Sequence, residues 1–132
     1  EDWATRLGDA VRLTYSQNRG VVFGIGNRSP GSSSAGLVAF VLVATVLLGA
    51  YFWRVPAERR ALLFGLGLVL GGAAGNLVDR LLRGYVVDFV DLYWSGWHFW
   101  AFNVADASIT VGVALMILDL LGAGSRHVSR VV

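Results

Sequence analysis

Asp88 and Asp106 are the residues of this chain best suited to chemistry, and both sit where charge is expensive. They belong to a stretch, residues 71–106, that opens with GGAAGNLVDR (71–80), passes through VVDFVD (86–91) and an aromatic run, and closes with FNVAD (102–106). Asn, Asp and Arg beside apolar helices are costly in a bilayer, so their presence points to function. Asn76, Asp79 and Arg80 are spaced i, i+3 and i+4 and share one helix face, and Asn103 and Asp106 are again three apart. Two carboxylates in close contact cannot both ionise comfortably, so they share a proton. One is then a base that activates water, the other an acid that protonates a leaving group. That chemistry suits an aspartyl hydrolase acting on a membrane-embedded substrate. Spacing does not tell which aspartate is acid and which is base.

Neighbouring polar residues have plainer readings. Asp79 is expected to form ion pairs at a helix end, and Asp91 to be solvated on an amphipathic segment. Arg80 is a support residue that pairs with a substrate carbonyl, a lipid phosphate or a carboxylate. Asp119 belongs to the opposite membrane face and stands apart from the site.

Other chemistries find little support. The chain has no cysteine, which removes thiolate catalysis, disulfides and Cys-ligated metal. His98 and His127 lack metal-ligand spacing, so no metal or cofactor is expected, and Ser95 with His98 is the one Ser–His pair near the site. The basic residues are all arginine, scattered between apolar segments, and a net charge of +2 does not point to nucleic acid.

The elements that must position these residues are membrane helices. Of 132 residues, 55% are hydrophobic and only 15% charged. Residues 36–53, 61–82 and 102–121 are each long and apolar enough to cross about 30 Å of hydrocarbon. The expected class is an all-α integral membrane protein forming one domain over 1–132, with three spanning helices, a small extracytoplasmic β-rich segment at 1–34 and an amphipathic interfacial segment at 84–100. Within 1–34, VRLTYS (11–16) reads as a short strand, and the Gly-rich stretch after it as a hairpin or curled sheet at the membrane surface or as a ligand loop. Pro56 stops helix continuation after the first span. Gly65, Gly67, Gly71, Gly72, Ala73, Ala74 and Gly75 allow close helix approach in the second. Tyr85, Phe89, Tyr93, Trp94, Trp97, Phe99 and Trp100 suit a segment lying along the interface. Connectivity then brings the end of the second span, the 84–100 segment and the start of the third to one membrane face. Arginine counts in the loops do not decide orientation by themselves, though they lean towards a cytoplasmic loop at Arg54, Arg59 and Arg60.

At NRGVVF (18–23), GNLVDR (75–80), VVDFVD (86–91) and FNVADASI (102–109) the sequence resembles the lipoprotein signal peptidase (signal peptidase II) family, over residues 12–121. The resemblance implies a bacterial inner-membrane aspartyl endopeptidase that removes signal peptides from diacylglyceryl-modified prolipoproteins, cutting before the lipidated cysteine. It implies Asp88 and Asp106 as the catalytic pair, with Asn18, Gly20, Asn76, Arg80 and Asn103 holding substrate or supporting the dyad. It also implies no metal or cofactor, contact with membrane lipids, a monomer, a site on the extracytoplasmic face and the Arg54–Arg60 loop inside. The family has four spanning helices and three are expected here, so the first helix of the family pattern is expected to be missing from this chain, as in a fragment or a processed form. The stretch before Asn18 is also shortened, and Val21 and Val22 replace smaller residues.

Two other functions fit the residues. A catalytically incomplete membrane protein would bind lipopeptides without cleaving them. A carrier or proton relay would route through Asp79, Asp88, Asp106 and Arg80, but needs polar residues at several depths, whereas here they gather at one end.

Overall fold

A computed structural model describes residues 5–6, 10–18 and 35–128 of the chain. Its elements in order are β1 (Thr5–Arg6), β2 (Val11–Asn18), α1 (Ala35–Phe52), α2 (Arg60–Arg83), β3 (Val86–Trp94), β4 (Trp97–Phe102) and α3 (Val104–Val128). Three helical stretches are long and apolar enough to span a membrane: Ala35–Phe52, Arg60–Arg83 and Val104–Gly122. The chain is an integral membrane protein.

α2 is the central helix. It packs on α3 along most of its length and on α1 more lightly, and it carries the buried residues Leu62, Leu66, Val69 and Leu77. Close approach to α3 depends on glycine. A Cβ on Gly72 would stand 2.5 Å from the carbonyl oxygen of Ala105 and 2.7 Å from Ile109, and one on Gly65 would stand 2.8 Å from the carbonyl of Gly112. Gly112 answers from α3, where a Cβ would meet the Gly65 carbonyl at 2.5 Å. Gly67 and Gly71 have open space instead, and Gly75 makes only an ordinary contact with Ala105. The Ser108 hydroxyl adds a bond to the carbonyl of Leu68, 2.8 Å across the same interface. α1 buries none of its residues, as suits a helix whose solvent is lipid.

At the far end from the sheet, Arg59 of the α1–α2 turn pairs with Asp119 of α3. Asp119 is thus held away from the polar cluster, as its position in the sequence predicts.

The segment 84–100 differs from expectation. Rather than one amphipathic stretch, it is most of a β-hairpin, and the sheet is antiparallel in the order β1-β2-β3-β4. VVDFVDLYW is rich in β-branched and aromatic residues that fit a pleated surface, and pairing with β2 and β4 satisfies its backbone. Gly84, with φ of 78°, ends α2 in the left-handed conformation, and its N–H bonds the Arg80 carbonyl at 2.9 Å. Ser95 and Gly96, with φ of 49° and 85°, form the two-residue turn between β3 and β4, both on the positive side as such a hairpin requires. The expected strand at 11–16 is present and extends to Asn18. Gly20 and the rest of the glycine-rich stretch to residue 34 lie outside the described residues.

Candidate active site

Polar residues gather where α2 ends, α3 begins and β3 crosses between them. Asn103 starts α3 as its N-cap: its carbonyl accepts the first helical bond, from Ala107 N–H at 3.1 Å, and its side-chain oxygen accepts from Asp106 N–H at 3.0 Å. Asp106 thereby sits in the first helical turn, where the partial positive charge of the helix end favours a carboxylate. Asp106 Oδ1 accepts from Asn76 Nδ2 at 2.8 Å, and its Oδ2 accepts from the Asn103 backbone N–H at 3.2 Å.

Asp88 comes from β3 and is 3% exposed. Its Oδ2 accepts from Asn18 Nδ2 on β2 at 3.1 Å, and its Oδ1 lies 3.4 Å from Asn103 Nδ2. That same amide nitrogen donates to Asn76 Oδ1 at 3.1 Å and lies 3.4 Å from the Val87 carbonyl. Asn103 therefore touches both aspartates, one through its side chain and one through its main chain. Asn76 and Asn103, both buried, form the amide bridge beneath them.

The electrostatics differ between the two sides. Burial pushes the Asp88 carboxyl above its ordinary value of 3.8; the Asn18 hydrogen bond opposes this, the charge of Asp106 adds to it, and Arg80 opposes it. Arg80, in the last turn of α2, exerts its charge on Asp106, Asp88 and Asp79. It approaches the Asn76 carbonyl at 3.5 Å, and its buried Nε has no hydrogen-bond partner among the described residues.

The structure brings together Asn18, Asn76, Arg80, Asp88, Asn103 and Asp106. Gly20 falls outside the described residues. Asp79 stays out of the cluster, paired with Arg83 one turn on at 3.7 Å. Asp91 corrects the expectation of a solvated side chain: it is 3% exposed and bonded to Arg12 Nε at 2.6 Å. The reason is strand pairing, since Arg12 and Asp91 are direct partners across β2 and β3. The alternating character of 11–16 was the signal for a strand, but its partner strand was not legible. Among the described residues, no three His, Cys, Asp or Glu side chains are grouped to hold a metal ion.

Beside Asp106 opens an apolar groove of about 290 Å³, lined by Leu92, Phe102, Ala107, Thr110 and Val111. A second, wider groove lies on the other flank, between Asn76, Asp79 and Arg83 of α2 and Val87 and Phe89 of β3.

Membrane-spanning helices with a cluster of buried polar side chains at one end, beside a small sheet, define the class: an integral membrane protein whose Asp88 and Asp106 are linked through Asn103. Residues 3–122 match the sequence profile of the family described as Signal peptidase (SPase) II, and the chain belongs to that family. It is 44% identical over 110 residues to a lipoprotein signal peptidase of Solibacter usitatus (strain Ellin6076), covering 83% of this chain and 67% of the relative. It is 46% identical over 120 residues to that of Shewanella pealeana (strain ATCC 700345 / ANG-SQ1), covering 90% and 70%. A bacterial membrane enzyme solved by the in meso method at 2.3 Å resolution superposes with a TM-score of 0.71 at 32% identity, covering 92% of this chain and 72% of that one.

Proposed function

We propose that this chain is an aspartyl endopeptidase that removes signal peptides from diacylglyceryl-modified prolipoproteins, cutting before the lipidated cysteine. Family membership supports the substrate and the proteolysis. The observation that carries the mechanism is the single residue, Asn103, bonded to both Asp88 and Asp106.

In this reading the two carboxylates hold one proton between them. Asp106, held in place by N–H bonds to both oxygens, is the base that activates water. Asp88, whose burial favours the neutral form, keeps the proton. Asp106 takes a proton from water as its oxygen attacks the scissile carbonyl carbon. Asp88 gives its proton to the amide nitrogen as the C–N bond breaks. The products are a free acid and a free amine, and the exchanged proton returns to Asp88 before the next turnover. Arg80, whose charge acts on both aspartates, and Asn18 position the extended peptide, with Gly20 in the same motif.

The apolar groove beside Asp106 suits a lipid chain, and its place at a helix end lets that chain stay in the bilayer while water reaches the peptide bond. The enzyme works as a monomer in the bacterial inner membrane, with the site outside and the turn bearing Arg54, Arg59 and Arg60 inside. It uses no metal or cofactor and takes no nucleic acid.

The test is cleavage of a diacylglyceryl-modified peptide by this chain in detergent or lipid, with Asp88→Asn and Asp106→Asn alongside. Turnover that persists in chelator and is lost in both variants supports the reading. A folded chain that binds the peptide without cutting it would instead mark a binding protein.

A further inference from the structure

The face of the sheet opposite Asp88 carries a cluster that the proposed reaction does not use. Arg12 Nε bonds Asp91 Oδ2 at 2.6 Å, and its guanidinium lies over the ring of Tyr93, 5.6 Å from the centroid. The Asp91 side chain is 5% exposed and that of Arg12 28%. A buried ion pair is weak evidence for stability, because desolvation offsets much of the attraction, and its best-attested use is to fix register. Here register matters unusually.

Side chains alternate along a strand, so Asp88 and Asp91, three apart on β3, face opposite sides of the sheet. Arg12 and Asn18, six apart on β2, would share a face in a regular strand. They do not, because the β2–β3 ladder shifts by one residue between Leu13 and Ser16. Arg12 pairs with Asp91 before the bulge, and Ser16 and Asn18 pair with Asp88 and Val86 after it. The bulge exchanges the faces, which puts Asn18 on the face of Asp88 while Arg12 stays on the face of Asp91. A slip of one residue would turn Asn18 away from Asp88. A backbone bond just before β2, from Tyr93 N–H to the Ala10 carbonyl at 2.9 Å, reinforces the same end.

We propose that Arg12 and Asp91 are positioning residues for the active site: by clamping β2 to β3 on one face of the sheet, they set the register that delivers Asn18 to Asp88 on the other. Asn18 is the contact, and the clamp acts through it. The proposal rests on the reading of Asp88 as a dyad member for its catalytic meaning, and on the strand geometry alone for its structural content.

The groups facing Asp88 are Asn18 from β2, Asn103 at the start of α3, Asp106 of α3 and Arg80 of α2. Of these, the clamp governs only Asn18. The experiment follows the titration of the Asp88 carboxyl in the intact chain by infrared difference spectroscopy against Asp88→Asn, together with the pH profile of kcat. Loss of the Asn18 bond removes a donor that favours the carboxylate, so Arg12→Ala should raise the Asp88 midpoint by about one pH unit, as should Asn18→Ala. The double variant should shift no further than Asn18→Ala alone, and the exchanged pair Arg12→Asp with Asp91→Arg should return the midpoint towards that of the parent. If Arg12→Ala does not fold, Asp91→Asn, which keeps the side-chain shape, takes its place. A folded clamp variant with an unmoved midpoint, or a double variant whose shift is the sum of the two, would overturn the proposal. Turnover by Asp88→Asn would instead overturn the dyad, and leaves the titration readout intact.

Discussion

Asn103 and Asp106 cap one another. The Asp106 N–H donates to the Asn103 side-chain oxygen at 3.0 Å, and the Asn103 N–H donates to Asp106 Oδ2 at 3.2 Å. This reciprocal pair at N-cap and third helical position is the arrangement known as a capping box, with Asn and Asp in place of the commoner Ser and Glu. The fold of α3 and the chemistry proposed for its first turn thus depend on the same carboxylate.

Substitutions of Asp106 should therefore separate by shape. Asp106→Asn and Asp106→Ala are both expected to lose turnover. Asp106→Asn keeps an oxygen for the Asn103 N–H, whereas Asp106→Ala should be less stable by about 1 kcal/mol. Unfolding in detergent measures this, and equal stability of the two would remove the capping role.

Asp88 should make stability depend on pH in a stated direction. Its pKa is raised in the fold, so its contribution is fully present below 3.8, the ordinary value, and is lost as pH rises through the raised one. Above that raised value, once the proton is lost, the buried carboxylate is a burden. Asp88→Asn is expected to be at least as stable as the parent at pH 7, with the difference shrinking on acidification towards pH 4. A difference that grows on acidification would reverse the assignment.

The glycines of α2 should sort by what faces them. Gly72→Ala and, on α3, Gly112→Ala place a methyl against a backbone carbonyl at 2.5 Å and are expected to destabilise by about 1–3 kcal/mol. Gly67→Ala meets open space and should be neutral or slightly stabilising through helix propensity. Thermal unfolding of the three variants decides it; a Gly67→Ala as damaging as Gly72→Ala would show that these close contacts do not set the pattern.

The Arg59–Asp119 pair lies at the other end of the helices from Asp88 and Asp106. Asp119→Asn should lower stability by about 1–3 kcal/mol while leaving kcat within twofold. A large loss of kcat at unchanged stability would show coupling along the helices.

The spanning helices were legible because continuous apolar runs have few other fates, and 36–53, 61–82 and 102–121 lie within a few residues of the observed helices. The polar cluster was legible because connectivity alone returns Asn76, Arg80, Asp88, Asn103 and Asp106 to one end. What was hidden is tertiary. Aromatic residues from Tyr85 to Trp100 suit both an interfacial segment and a strand pair, and only pairing with β2, far away in sequence, makes the strand the better solution. Asp91 looks solvated until Arg12 is seen opposite it. Gly65 and Gly67 are alike in sequence, yet only one faces Gly112.

The glycine contacts also divide the site mechanically. Gly72, one turn before Asn76, lies against Ala105 and Ile109, which stand one residue before and three residues after Asp106 in α3. Asn76, Asn103 and Asp106 are thus mounted on two helices in backbone contact, a support with little compliance. Asp88 and Asn18 are mounted on a sheet that joins that support through the chain at residues 84–85 and at Asn103, and that packs on it far more lightly than the two helices pack on each other. Peptides of different bulk entering between the two halves would meet one stiff wall and one yielding wall, and accommodation of varied sequences would fall to the strands rather than to the helices.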